Sequence, residues 1–373
     1  MLQKVFKTQG KLLAGTTVKT TILTLVMLCS GCSHETQVTP APLVVANAVQ
    51  QEELLKIKRA ILDLDYAQVN ALSSKVDMNQ PLPDESSLLA WAIETQDPKL
   101  ISLLLQQGAK ANLTHGNHFS PIIQACRYGN EEIINALLDR GADPNSTIND
   151  GTSVLMLCAA STSPDMLSRL ISQRTPVNAE NQHGQTALMF AANAGKSENM
   201  RYLLINGAEI NKQTQEGYSP LFFAIKSQDL EAVYTALLFE ADLSATAKDG
   251  TTAAQLGVYT KNYAFLTMLV TELDSWLSPD AAKSVLAGFD RDGNQLLHVA
   301  VQANQPELVA ALLKAGADPT TISQPSTLTW RYEANFKSEN YIPPQRTPVE
   351  IAEQNKLTDI ALMLRGKSDK SGA

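Results

Sequence analysis

Apolar residues arrive along this chain in short bursts separated by polar turns, and the bursts are of two kinds. One opens on Ser or Thr and continues through small and aliphatic residues: SPIIQAC (120–126), TALMFAA (186–192) and SPLFFAI (219–225). The other carries a leucine pair and closes on Gly-Ala and a polar turn: LLQQGAKAN (104–112), LLDRGADPN (137–145), LLINGAEIN (203–211) and LLKAGADPT (312–320). Each burst predicts a short helix, so the unit is a helix pair. The opening Ser or Thr is expected to cap the first helix, its hydroxyl oxygen accepting an orphan backbone N–H, and Pro at the next position already holds a helical φ. A small pair such as Ala191–Ala192 lets neighbouring helices approach closely. The second helix presents Leu203 and Leu204 to the adjacent unit and ends at Gly207, a residue free to take the left-handed cap conformation. One such unit cannot bury its apolar surface alone, whereas stacked units can.

The units repeat on a fixed interval. Ser87, Ser120, Ser153, Thr186, Ser219 and Thr252 are spaced by 33 residues, and Asn79, Asn112, Asn145, Asn178 and Asn211 run in step at the same spacing. These openings and Gly-Ala closings resemble the ankyrin repeat over about residues 52–366. The resemblance implies an all-α repeat fold, a solenoid of about nine helix-turn-helix repeats with short β-hairpin fingers. The first unit, near 52–83, keeps only VNALSSKVDMN (69–79) and reads as a cap. The seventh (249–289) opens on DGTTAAQL but continues into TELDSWLSPDAAKSVLAGF, with Trp276 and Leu277, so that Gln295 follows Thr252 by 43 residues. A lengthened helix or linker that bends the stack is expected there. The eighth begins at DGNQLLHVAV (292–301), and the ninth (346–364) is a C-terminal cap set off by an insertion at 321–344. Residues 367–373 form a polar tail.

The N-terminus has a different character. Residues 1–31 hold Lys4, Lys7, Lys11 and Lys19, no acidic residue, and the apolar run TILTLVML (21–28), too short to span a bilayer permanently. LCSGC (28–32) resembles a bacterial lipoprotein signal, with Gly31 before Cys32, although Cys29 stands where that family carries an aliphatic residue. The resemblance implies that residues 1–31 are removed and Cys32 is lipidated; a plain cleaved signal is the alternative. Ser33 then implies the periplasmic face of a Gram-negative outer membrane, with residues 32–51 as anchor and flexible tether. The formal net charge of -8 becomes -12 without residues 1–31, which leaves 26 basic against 38 acidic residues and argues against nucleic acid or an anionic lipid surface as partner. Cys126 and Cys158 occupy positions expected to hold small buried helix residues, and two unpaired thiols are expected rather than a disulfide.

Candidate chemistry is sparse. Asp290 to Asn294 has the composition of a calcium loop, but its glycine comes too early and Val301 stands where a bidentate Glu belongs, so it reads as a finger. His115, His118 and His183 offer too few further ligands for a metal site. His298 holds the histidine position of the repeat opening, where the resemblance implies a structural hydrogen bond. No nucleophile elbow, phosphate loop or carboxylate pair is present, and neither an enzyme nor a cofactor is expected.

The repeat family binds partners through its fingers and the exposed face of each first helix. That implies Glu94, Arg127, Tyr128, Asn193, Lys226 and Gln302 on the helices, and Asn149, Glu180, Lys212 and Gln215 at the fingertips. The insertion adds Trp330, Arg331, Tyr332, Phe336 and Tyr341, residue types that dominate binding hot spots; packing over the last two repeats is their competing role. The expectation is a monomeric, envelope-anchored, non-catalytic scaffold that binds another protein and touches the membrane only through its lipid. An inhibitor or immunity protein against a periplasmic toxin or hydrolase, and an accessory or chaperone-like protein for a periplasmic enzyme, are the alternatives.

Overall fold

A computed structural model describes the backbone at residues 42–114, 120–325, 330–333, 336–339 and 345–368, and the side chains at 49–114, 120–325 and 345–366. The described residues from 47 onward belong to one compact unit. The first ten helices are α1 (Pro42–Leu62), α2 (Tyr66–Ser73), α3 (Leu88–Glu94), α4 (Pro98–Gln106), α5 (Pro121–Tyr128), α6 (Glu131–Asp139), α7 (Val154–Ser161), α8 (Pro164–Ser172), α9 (Ala187–Asn193) and α10 (Ser197–Ile205). The stack continues with α11 (Pro220–Ser227), α12 (Leu230–Leu238), α13 (Ala253–Tyr259), α14 (Tyr263–Thr271), α15 (Leu273–Trp276), α16 (Pro279–Ala287), α17 (Leu296–Gln302), α18 (Pro306–Ala315), α19 (Pro348–Gln354) and α20 (Thr358–Ser368). Helix α1 already runs from Pro42, through the end of the stretch expected to be tether, and buries Leu54, Ile57, Ala60 and Ile61.

From α3 to α13, and again from α17 to α19, the first helix of a pair packs on its counterpart in the next pair, through small and aliphatic residues: Ala125, Ala159, Ala191 and Ala224 are all fully buried. Leu104, Leu137, Leu170 and Leu203 from the second helices complete the core. Close approach is visible at Gly129, where an added Cβ would lie 2.5 Å from the carbonyl oxygen of Ser161 in the next repeat. Cys126 on α5 and Cys158 on α7 are bonded as a disulfide with Cα atoms 4.8 Å apart, which corrects the expectation of two free thiols. The small-residue packing that hides both cysteines also brings their backbones within disulfide range.

The caps divide into two sets. Ser87, Ser153, Thr252 and Thr347 accept from the N–H three residues on, and Thr252–Gln255 and Thr347–Glu350 form reciprocal capping boxes. Ser120, Thr186 and Ser219 stand at the same position in extended backbone, but their buried hydroxyls make no hydrogen bond among the described residues, contrary to the uniform capping expected.

The asparagines at 33-residue spacing have a shared role. Asn79 donates to Gly108 O and accepts from Lys110 N; Asn112, Asn178 and Asn211 repeat this to Gly141 and Asp143, to Gly207 and Glu209, and to Glu240 and Asp242. Each side chain thus staples its turn to the next. Fingers are joined by backbone too: Gln182 N donates to Asp150 O at 2.7 Å, Gln215 N to His183 O at 3.1 Å, and Lys248 N to Glu216 O at 2.9 Å. Among the described residues the fingers contain only the isolated bridges Thr147–Ser153 and Thr246–Thr252 in place of the expected hairpins. The one described hairpin lies in the insertion, where β1 (Trp330–Glu333) pairs antiparallel with β2 (Phe336–Glu339).

Candidate functional site

The fourth residue after each opening Ser, Thr or Gln gives Trp91, Gln124, Leu157, Phe190, Phe223, Leu256 and Val299 on successive first helices, and every one is half-buried. Most of their flanking neighbours are core residues, so this position forms, Gln124 apart, an apolar row that the stack leaves partly open. Three residues further along each helix lies a polar row. Glu94, Arg127, Tyr128, Asn193, Lys226 and Gln302, the helix candidates from sequence, are all exposed and belong to this row or stand next to it. Sequence reading took the polar row and missed the apolar one, whose signal was present: Phe at both 190 and 223, and Trp at 91, where the surrounding positions are small or aliphatic.

Parts of the surface are pre-ordered. Glu94 accepts from Gln124 Nε2 and from the hydroxyl of Tyr128, bridging α3 and α5. This bond and partial desolvation push the Tyr128 phenol up to about 12. At the N-terminal end Lys58 lies 3.7 Å from the centre of the Trp91 ring, and Trp91 Nε1 donates to Ser86 Oγ. Gln302 donates weakly to Asn294 at 3.4 Å. At the fingertips Lys212 pairs with Glu180 at 2.6 Å, Gln215 Nε2 donates to Gln182 O, and Gln182 Nε2 donates to Asn149 O. All four fingertip candidates therefore fall on one continuous polar edge.

Trp330, Arg331, Tyr332 and Phe336 lie on the hairpin, with Arg331 opposite Ser338 and Tyr332 opposite Lys337; Tyr341 lies outside the described residues. His115 and His118 also lie outside them, and no group of three metal-ligating side chains occurs among those described. His298 is fully buried: Nδ1 accepts from Gln295 N, and Nε2 meets the carbonyl of Arg346 at 3.1 Å, tying the eighth repeat to the ninth. Burial pushes its pKa down, so it is a neutral structural residue. Asp290 accepts from Asp292 N and Asn294 N, which makes this segment a finger turn.

No curated protein compared with this chain matches it. Among solved structures it is similar to the human ASB11 ankyrin repeat domain, at 20% identity over 54% of this chain and 90% of that one, with a TM-score of 0.48. It is also similar to the ankyrin repeat domain of Bcl-3, described as a unique member of the IkappaB protein family, at 21% identity over 54% of this chain and 92% of that one, with a TM-score of 0.44. A family model of ankyrin repeats matches three times, at residues 58–148, 146–214 and 221–323, which is more than half of the sequence. With the helix pairs in register and the turns stapled between them, the chain belongs to the ankyrin-repeat family.

Proposed function

We propose that this chain is a non-catalytic, envelope-anchored scaffold that binds another protein across its first helices. The observation that carries this reading is the half-open apolar row Trp91, Leu157, Phe190 and Phe223 beside the exposed polar row Glu94, Arg127, Asn193 and Lys226. Partly exposed aromatic side chains on rigid helices supply contact area at little entropic cost, and a polar border supplies register. Lipidated Cys32 would confine the search for the partner to one membrane surface. A buried disulfide supports an oxidising compartment, in keeping with export. The net charge of the chain without residues 1–31 favours a basic partner, and so a second reading in which that partner is a toxin or hydrolase held inactive.

The test uses the full chain expressed in a Gram-negative host and crosslinked in its envelope, beside Phe190→Ser/Phe223→Ser and a version with residues 325–342 replaced by a Gly-Ser linker. Loss of a stoichiometric partner with the double variant supports the row. Loss only with the linker version moves recognition to the insertion, and retention in both rejects the proposed surface. Cys32→Ser separately tests the anchor: the mature protein should lose its acyl mass and its membrane fraction.

A further inference from the structure

Successive first helices pack directly from α3 through α13, and α17 packs on α19, but α13 and α17 do not pack to that extent. The second helices α14 and α18 do pack together across the same junction. The stack is closed along one side and parted along the other, with α16 placed in the gap and joined mainly to α15 and α17. The consequence is visible residue by residue. Leu188 and Ala192 on α9, and Leu221 and Ile225 on α11, are buried by the next repeat; their counterparts Ala254 and Val258 on α13 are left half-exposed.

What remains is a half-enclosed cavity of about 320 Å³ whose apolar wall includes Val258, Leu269, Leu277, Val285, Phe289 and Leu296. This is roughly twice the ~150 Å³ that holds one benzene, and at the lower end of small-molecule sites. Its polar lining residues are Ser244, Thr252, Gln255, Ser284, Asn294 and Asp290, the last its only ionisable group. Both described hydrogen bonds to the Asp290 side chain fall on Oδ1, from Asp292 N at 2.9 Å and Asn294 N at 2.8 Å. The adjacent cation, Arg291, lies over the ring of Tyr259 at 4.3 Å. Desolvation raises the Asp290 carboxyl, so a positive or hydrogen-bond-donating group beside it would be favoured.

We infer that this cavity is a binding site for a small amphiphile with an apolar body of one or two rings and a cationic or donor end directed to Asp290. Of the apolar row only Val299 lines this cavity, and Trp91, Leu157, Phe190 and Phe223, proposed to bind protein, lie outside it, so either site can fail without the other. Closing it would brace α13 against α17, so a ligand here would also stabilise the junction between the seventh and eighth repeats.

The experiment is calorimetric titration of the full chain in detergent with tryptamine, indole and indole-3-acetate. Tryptamine should bind one to one, and indole-3-acetate, with the same ring and the opposite charge, at least tenfold more weakly. Asp290→Asn keeps an oxygen for the turn and should bring tryptamine down to the affinity of indole. Ala254→Leu with Ala281→Leu fills the cavity, and leucine at 254 is what positions 188 and 221 already carry; this variant should lose all binding at an equal or higher melting temperature. Ala281→Trp serves as a second filler if the first fails to fold. Absence of saturable binding by both tryptamine and indole, or binding unchanged in a folded filled variant, overturns the site. An unaltered charge preference in Asp290→Asn overturns the role of Asp290. Dimerisation abolished by filling, with no indole bound, would assign the cavity to a side chain of a second copy and likewise overturn the small-molecule reading.

Discussion

Cys126 and Cys158 form a disulfide between the first helices of adjacent repeats, and both residues are fully buried. The bond closes a sequence separation of 32 residues, for which the chain-entropy relation gives about 3–4 kcal/mol. Cys126→Ser or Cys158→Ser should therefore lower the urea midpoint markedly. In the native protein neither cysteine should react with iodoacetamide, and two further alkylations should appear only after denaturation and reduction together. Alkylation of either cysteine upon denaturation without reductant would show that the disulfide is absent.

The asparagine series predicts a contrast within one residue type. Asn211 donates to Glu240 O at 3.1 Å and accepts from Asp242 N at 2.8 Å, so Asn211→Ala should destabilise by about 1–2 kcal/mol. Asn145 belongs to the same series, but its side chain makes no hydrogen bond among the described residues, and Asn145→Ala should stay within about 0.5 kcal/mol of the parent. Circular dichroism in urea measures both. Equal losses at the two positions would make the spacing a matter of turn propensity, not of stapling.

Two glycines separate conformational strain from collision. Gly207 and Gly217 have φ of 87° and 85°, conformations that side chains disfavour. A Cβ at Gly207 would meet nothing within 4 Å, whereas at Gly217 it would lie 2.9 Å from Lys248 N on the next finger. Gly207→Ala should cost about 1 kcal/mol, and Gly217→Ala clearly more, since the Lys248–Glu216 backbone bond must shift. Similar midpoints for the two variants would show that the fingers yield without loss.

The helix pairs were legible because periodicity and terminal residues act locally: Ser87 caps α3 and Gly207 takes its left-handed conformation whatever lies beyond. The register was legible as well, but its physical basis was not, since the partners of Asn112 and Asn178 are backbone groups that any sequence carries at those sites. Pairing of Cys126 with Cys158 depends on how closely α5 and α7 approach, which residue type alone leaves open. The gap between α13 and α17 was marked by the 43-residue interval, yet whether the extra helices would fill it or leave a cavity is decided by packing across two repeats. The half-open apolar row was missed for the same reason: Phe190 reads like any core residue until its neighbours are placed.

His298 predicts a pH dependence of stability with a definite sign. Its Nδ1 accepts from Gln295 N and its Nε2 bonds the Arg346 carbonyl, an arrangement that requires the neutral ring with the proton on Nε2. Burial lowers its folded pKa below the ordinary 6.5, so between 6.5 and that lower value the unfolded chain binds a proton that the folded chain does not. Stability should then fall as pH drops below about 6.5 and be fully present above it. His298→Gln, which can still offer one acceptor and one donor, should be less stable at pH 7.5 but should flatten this slope between pH 5 and 7. The half-buried Asp290 contributes with the opposite sign and nearer its ordinary 3.8, because its folded pKa is raised by desolvation and it gains protons as pH falls. The difference between parent and variant across pH 5–7 isolates the histidine; a slope unchanged in His298→Gln would mean that other groups carry the acid sensitivity of the C-terminal repeats.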